Sequence, residues 1–109
     1  MSVGLYRYDG TIRDRNSKLT LSESIASQAF YDTHWTKAIH ETETKWFKDG
    51  AEIHQSQLSD GLVELEQLKG WALQNLAGTD LEYMAGRIER LQAIIPDAFD
   101  CKDTLLYIF

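Results

Sequence analysis

The segment from Thr20 to Asp49 contains neither glycine nor proline over thirty residues, and five of its residues are aromatic. Glycine and proline are the residues that most strongly interrupt helices and mark turns. A stretch of this length without them predicts helix rather than loop. The aromatic residues within it are Phe30, Tyr31, Trp35, Trp46 and Phe47. The chain is therefore expected to be a helical domain with a heavily aromatic core.

Both ends of this segment carry helix-boundary signals. Thr20 is followed three residues later by Glu23, a spacing that lets the two side chains bond to each other's free backbone N–H groups at a helix start. The helix is therefore expected to begin near Leu21. Gly50 comes directly after Asp49 and suits the left-handed residue that closes a helix, so the helical segment is expected to end there.

The apolar positions of the segment do not follow one continuous helical stripe. Five of them share a face when placed at about 100° per residue: Leu21, Ile25, Ala26, Ala29 and Phe30. A second stripe has a rotated centre and consists of Trp35, Ile39, Thr42 and Trp46. The phase changes near residues 31–34, where Asp32 or Thr33 is a suitable N-cap. We therefore expect two helices or one strongly bent helix, with most of the aromatic side chains in the core.

The following part of the chain contains a clearer pair of helices. After Ser56, a suitable N-cap, the apolar residues at positions 58, 62, 65, 72 and 76 repeat with the period of a helix. Gly78 ends this helix, and Thr79 with Glu82 forms a second capping box. The next helix is expected to end before Pro96, which disfavours helical geometry at its predecessor. Because the link between the two helices is short, they should form an antiparallel hairpin.

Strand signals lie at the two ends of the sequence. Val3–Tyr8 is rich in strand formers and precedes a turn dipeptide, after which Thr11–Arg13 would supply a second hairpin arm. The apolar run Leu105–Phe109 is also typical of a strand, and pairing with Val3–Tyr8, within the chain or with another chain, would satisfy its backbone groups. The sequence predicts a single, mainly α domain over residues 1–109. It has four helices and a small two-stranded antiparallel element formed by the N- and C-terminal segments.

The charge of the chain favours a protein partner over nucleic acid or membrane. The formal net charge is −6, and the first 18 residues contain four basic and two acidic residues, so the remaining residues carry −8. An acidic surface repels a phosphate backbone and an anionic lipid surface. The sequence shows neither a leader pattern nor a long apolar run, so the cytoplasm is the expected compartment. The single cysteine, Cys101, excludes an internal disulfide.

Three histidines, His34, His40 and His54, suggest a metal-binding hypothesis. A helical metal pair needs ligands three or four residues apart, whereas His34 and His40 are six apart and diverge around the helix. His40 and Glu43 share a face but supply only two ligands. We therefore expect no metal site and no cofactor. The alternative function is a small enzyme or metal-binding protein using the His34/His40/His54 region, although no catalytic motif is visible.

The most specific functional signal lies on the back of the helix expected over residues 58–76. A tryptophan shares that face with carboxylates and amides, a mixture typical of the centre of an interface. The predicted partner-binding residues are Asp60, Glu64, Gln67 and Trp71, extended on the next helix by Tyr83 and Arg87. The alternative interpretation is that Trp71 packs under the terminal strands as part of the core.

These patterns favour protein binding over catalysis. The resulting hypothesis is a small acidic cytosolic protein–protein interaction domain that covers a basic surface of its partner. An immunity protein, an antitoxin-like inhibitor or a modulator would act in this way. A homodimer that buries the face around Trp71 is a further alternative. No catalytic residue and no nucleic-acid or membrane partner are expected.

Overall fold

Four strands and three helices are found in the computed structural model, which describes residues 2–9, 18–99 and 104–109. The strands are β1 (Ser2–Asp9), β2 (Lys18–Ser27), β3 (Glu52–His54) and β4 (Leu105–Ile108). The helices are α1 (residues 28–42), α2 (Leu58–Asn75) and α3 (Gly78–Ala98), and a 3₁₀ turn, Gln55–Gln57, precedes α2. The strands form one antiparallel sheet in the order β2-β1-β4-β3.

The predicted fold class, a mainly α four-helix domain with a two-stranded element, is wrong. The described residues form three helices and a four-stranded sheet. The expected pairing of the two terminal segments is present within the chain, with Leu5 opposite Ile108 and Tyr6 opposite Tyr107. Strands β2 and β3 extend this pair on either side. The expected hairpin arm over Thr11–Arg13 and the single Cys101 lie outside the described residues.

The largest correction concerns residues 18–27, which form strand β2, so the helix predicted to begin near Leu21 does not start there. Thr20 and Glu23 therefore do not form a capping box. The Thr20 hydroxyl donates to the backbone carbonyl of Arg7 on β1 at 3.1 Å, and the Glu23 carboxylate lies 3.5 Å from Nε of Arg90 on α3. Helix α1 starts later, where the Phe30 N–H donates to Oγ of Ser27 at 3.3 Å.

Helix α1 changes its hydrogen-bonding pattern in the middle. It begins as an α-helix over Gln28–Phe30, continues as a π-helix over Tyr31–Trp35 and ends as an α-helix over Thr36–Thr42. A π-helix bonds residue i to residue i+5 and so adds about one residue to the turn. The phase change predicted near residues 31–34 has this origin, and neither a chain break nor an N-cap at Asp32 or Thr33 is needed.

Helix α1 also ends earlier than predicted. Its last residue is Thr42, and Glu43 adopts the left-handed conformation with φ of 58°. The N–H of Thr44 then donates to the Ile39 carbonyl at 3.2 Å, which closes the helix in the manner usual for a glycine C-cap. Gly50 has a positive φ as well, but it lies in the loop before β3, where its N–H donates to Ile108 O at 2.7 Å.

Helices α2 and α3 form the predicted pair and pack against each other. Their boundaries differ in two respects. Helix α3 begins at Gly78, and the preceding Ala77 provides no side-chain cap, so the Thr79/Glu82 capping box does not mark the start. The helix also passes through Pro96 to Ala98. Because Pro96 lies in the last turn, its missing N–H costs only one hydrogen bond near the end of the helix.

The core lies between the helices and one face of the sheet. The buried residues on the inner sheet face include Val3, Leu5, Ile25, Ile53, Leu106 and Ile108, which join one apolar cluster with residues of all three helices. The opposite face carries Tyr6 and Tyr8, whose rings contact those of Phe109 and Tyr107 with centroid separations of 4.6 and 6.0 Å. In the part of the chain that is described, no helix combines the length and apolar composition needed to cross a membrane.

Candidate functional site

A groove runs along the exposed side of α2, between that helix and the end of α1 with its following loop. It consists of two adjoining depressions of about 590 and 270 Å³ that share Gln67. The larger depression is lined by Glu41, Thr42, Gln67, Gly70, Trp71, Gln74 and Asn75. The smaller is lined by Lys45, Trp46, Asp60, Val63, Glu64 and Gln67. We refer to the two together as the acidic groove, because three of its four charged lining residues are carboxylates.

The helical repeat of α2 explains why these residues line one surface. Each of the positions 60, 63, 64, 67, 70, 71 and 74 lies three or four residues from another member of the set, so they share one side of the helix. Two leucines of the same helix, Leu65 and Leu68, are fully buried in the core. From Asp60 to Asn75 the groove follows α2 for about 22 Å, at the usual rise per residue.

Four of the six predicted partner-binding residues lie in this groove: Asp60, Glu64, Gln67 and Trp71. The other two are elsewhere. On α3 the ring of Tyr83 lies 4.5 Å from that of Phe30, and its hydroxyl accepts the Ser27 N–H at 3.0 Å. The Arg87 guanidinium stands over the Tyr83 ring at 5.5 Å. Tyr83 and Arg87 therefore support the junction of β2 and α1, and they do not extend the predicted surface.

Glu64 has a structural task within the groove. Its Oε1 accepts the backbone N–H groups of Lys45 and Trp46 at 3.0 and 2.8 Å. The side chain is half-buried, and these two donors belong to the loop that follows α1. Glu64 thus fixes the wall of the smaller depression. A sequence pattern could not show this, because the donors are backbone groups of a segment that was predicted to be helical.

Trp71 fits part of the interface interpretation and part of the core interpretation. The residue is 8 % exposed, as the core alternative requires, but its indole N–H donates to Glu41 Oε2 of α1 at 3.1 Å. This bond links the floor of the larger depression, on α2, to the end of α1. Asn75 adds a second bond from its side-chain amide to the Trp71 carbonyl at 2.9 Å. Trp71 is therefore the buried floor of the groove and not a side chain projecting from it.

The projecting groups of the smaller depression are an apolar residue and a carboxylate. Val63 is 58 % exposed, and Asp60 is exposed beside it in the first turn of α2. The half-buried Trp46 forms the opposite side, with the Lys45 ammonium 4.9 Å from the centre of its ring. An exposed valine between a tryptophan and carboxylates offers a partner both apolar contact and negative charge.

The three histidines of the metal hypothesis are held in different surroundings. His34 lies against the ring of Phe30 at 4.6 Å, with its Nε2 3.7 Å from a carboxylate oxygen of Asp80. His40 is exposed on α1, and His54 ends strand β3. Within residues 2–9, 18–99 and 104–109, no group of three or more histidine, cysteine, aspartate or glutamate residues is arranged to hold a metal ion.

A second groove of about 680 Å³ lies at the end of α1. It is lined by Tyr31, Thr36, Ile39, His40, Glu43, Thr44, Lys45, Lys48 and Asp49. The Tyr31 hydroxyl donates to the Phe47 carbonyl at 2.5 Å, and burial raises the pKa of Tyr31 to about 12. Its charged lining residues are two carboxylates, Glu43 and Asp49, and two lysines, Lys45 and Lys48, besides His40. The sequence interpretation missed it, since a helix continuing to Asp49 would leave no groove there.

Within the described residues the lining of the acidic groove combines carboxylates, amides, one lysine, the Thr42 hydroxyl and apolar side chains, and no cysteine, serine or histidine contributes to it. Comparisons of the chain with protein-family models, with curated proteins and with solved structures gave no match.

Proposed function

We propose that this chain is a protein-binding domain that receives a basic segment of another protein in its acidic groove. The observation that carries the proposal is the smaller depression, where Val63 is 58 % exposed beside Asp60 and Trp46. Exposed apolar surface bordered by polar groups marks interaction sites. The carboxylates select a positively charged partner, while Val63 and Trp46 supply apolar contact.

The charge of the whole chain supports the same partner. With a formal net charge of −6, the protein attracts basic surfaces over distances longer than a direct contact. Such long-range attraction raises the rate of association and orients the partner before contact. A small acidic domain that covers a basic surface in this way would act as an inhibitor or modulator, as an immunity protein or antitoxin-like protein does.

Affinity capture with matched charge variants tests the proposal. Asp60→Lys reverses the exposed carboxylate of the smaller depression, and Glu82→Lys makes the same change in an early turn of α3, outside the groove. We expect Asp60→Lys to lose a captured protein that the unmodified chain and Glu82→Lys retain. Equal capture by all three proteins would exclude the groove. Glu64 is unsuitable for this test because its carboxylate holds the Lys45–Trp46 loop.

A further inference from the structure

Gly70 is placed near the middle of the acidic groove, where its lack of a side chain has no explanation within the chain. It lies inside α2, where glycine is less stable than alanine because it gives up more backbone freedom on folding. Apart from its two chain neighbours and the nearby backbone of its own helix, a Cβ atom built on Gly70 would have no described atom within 4 Å. The space above Gly70 is therefore open and belongs to the larger depression.

Open space above a helical glycine allows a second helix to approach closely. The axes of packed helices are 8–10 Å apart in general, and small residues at the crossing point give the shortest distances. On either side of Gly70 the groove is lined by longer side chains, those of Gln67 and Gln74. A backbone lying across Gly70 would therefore fit between them.

The carboxylates lie toward one end and near the middle of the groove. Asp60 and Glu64 line the smaller depression, and Glu41 of the larger one accepts a hydrogen bond from Trp71, the residue next to Gly70. Exposed Val63 adds an apolar contact near the first pair. A partner complementary to this pattern has basic side chains facing Asp60, an apolar side chain beside Val63 and a small side chain where it crosses Gly70. A helix can present such a face while its own hydrogen bonds satisfy its backbone.

We infer that the partner segment is a basic amphipathic helix of another protein, whose backbone crosses α2 at Gly70. This inference rests on the proposed function and adds the conformation of the partner and its crossing point. An extended segment is disfavoured, because α2 already uses its backbone groups internally and has no strand edge to offer.

The test uses a fluorescein-labelled synthetic peptide of about 15 residues, long enough for four helical turns, with lysine and arginine beside an alanine and leucine face. A second peptide has the same composition in an order without helical periodicity. The protein variants are Gly70→Ala and the control Gly86→Ala, since Gly86 is also inside a helix, is exposed, and has no described atom within 4 Å of an added Cβ.

We expect the unmodified chain to bind the amphipathic peptide more tightly than the reordered one. Both glycine variants should raise the urea midpoint of unfolding. Only Gly70→Ala should weaken peptide binding, by roughly tenfold, because the added methyl overpacks a close helix crossing. Fluorescence anisotropy gives the affinities.

Three outcomes would overturn the inference. The first is equal binding of the two peptides, or no binding of either, and the second is unchanged affinity in Gly70→Ala. The third is self-association of the chain that disappears in Gly70→Ala, which would assign the groove to a second copy. If Asp60→Lys loses binding while Gly70→Ala binds fully, the result supports the proposed function and contradicts only the helix crossing at Gly70.

Discussion

Glu64 Oε1 lies 2.8 Å from the backbone nitrogen of Trp46, so a carboxylate on α2 holds the loop that follows α1. The same oxygen accepts the N–H of Lys45 at 3.0 Å. One side chain thereby satisfies two backbone donors that lie beyond the end of α1. The position of Trp46 in the acidic groove depends on these two bonds.

Replacing Glu64 by alanine should destabilise the protein by about 1–3 kcal/mol, because the two N–H groups of the loop lose their acceptor. Urea unfolding followed by circular dichroism measures the change. Glu82→Ala on α3 is the control, as an exposed residue at which substitutions usually shift stability by less than about 0.5 kcal/mol. Equal stability of the two variants would show that the Glu64 bonds contribute nothing.

Glu43→Gly should stabilise the protein by roughly 1 kcal/mol. Glu43 has φ of 58°, a left-handed conformation that is unfavourable for residues with a Cβ and readily adopted by glycine. The control is Lys37→Gly, within the α-helical end of α1. It should have the opposite effect and destabilise the protein by about 1 kcal/mol. Thermal unfolding of both variants checks the prediction. A loss of stability in Glu43→Gly would mean that the glutamate side chain makes a stabilising contact.

The stability of the protein should fall as the pH rises from about 10 to about 12. The pKa of Tyr31 is raised from 10.0 to about 12, chiefly by burial, so the folded state holds this proton more tightly than the unfolded state. The stabilisation is complete below pH 10 and is lost through the folded-state pKa. Urea unfolding at several pH values in this window should give a shallower decline for Tyr31→Phe. An identical pH dependence in the two proteins would contradict the assignment.

The Tyr31→Phe variant should also be less stable at neutral pH, by about 1–2 kcal/mol, since the Phe47 carbonyl loses its donor. Thr36→Val is a suitable control, because Thr36 is an exposed residue whose hydroxyl donates to the Tyr31 carbonyl of its own helix. Urea midpoints at pH 7 compare the two. A larger loss in Thr36→Val would place the important hydrogen bond elsewhere.

Arg7→Met should destabilise the protein by about 1–2 kcal/mol. The guanidinium donates from Nη1 to the carbonyl of Ala98, the last residue of α3, at 2.6 Å. A positive charge at that end also interacts favourably with the helix dipole. Arg87→Met is the control, with a guanidinium that stands over a ring and should contribute less. Chemical unfolding at neutral pH measures both, and a smaller effect at Arg7 would contradict the capping role.

The sequence predicted α2 and α3 well because both helices bury one regular apolar stripe. Strand β2 was misassigned for a physical reason. Leu19, Leu21 and Ile25 are separated by two and four residues, which fits one face of a strand, but Leu21, Ile25 and Ala26 also fit one helical face. Ser22 and Ser24 weaken the helical alternative, since a serine side chain competes with the backbone for hydrogen bonds.

The groove was only partly predictable. The helical repeat placed Asp60, Gln67 and Trp71 on one face correctly, because that face follows from α2 alone. The burial of Trp71 and the bonds of Glu64 depend on where the end of α1 lies. That end is set by a π-helix and by a glutamate in a left-handed conformation, and neither has a strong local signature.

Strand β4 is the last of the four strands along the chain, yet it lies between β1 and β3 in the sheet. During synthesis, a ribosome that has released residues 1–99 has exposed both neighbours of β4, with one edge of β1 and both edges of β3 unpaired. We expect such a nascent chain to hold its β1–β2 hairpin and its helices without a bridge to β3. The sheet is then completed only when the short strand β4 emerges. Until that point the open edges of β1 and β3 are available to chaperones.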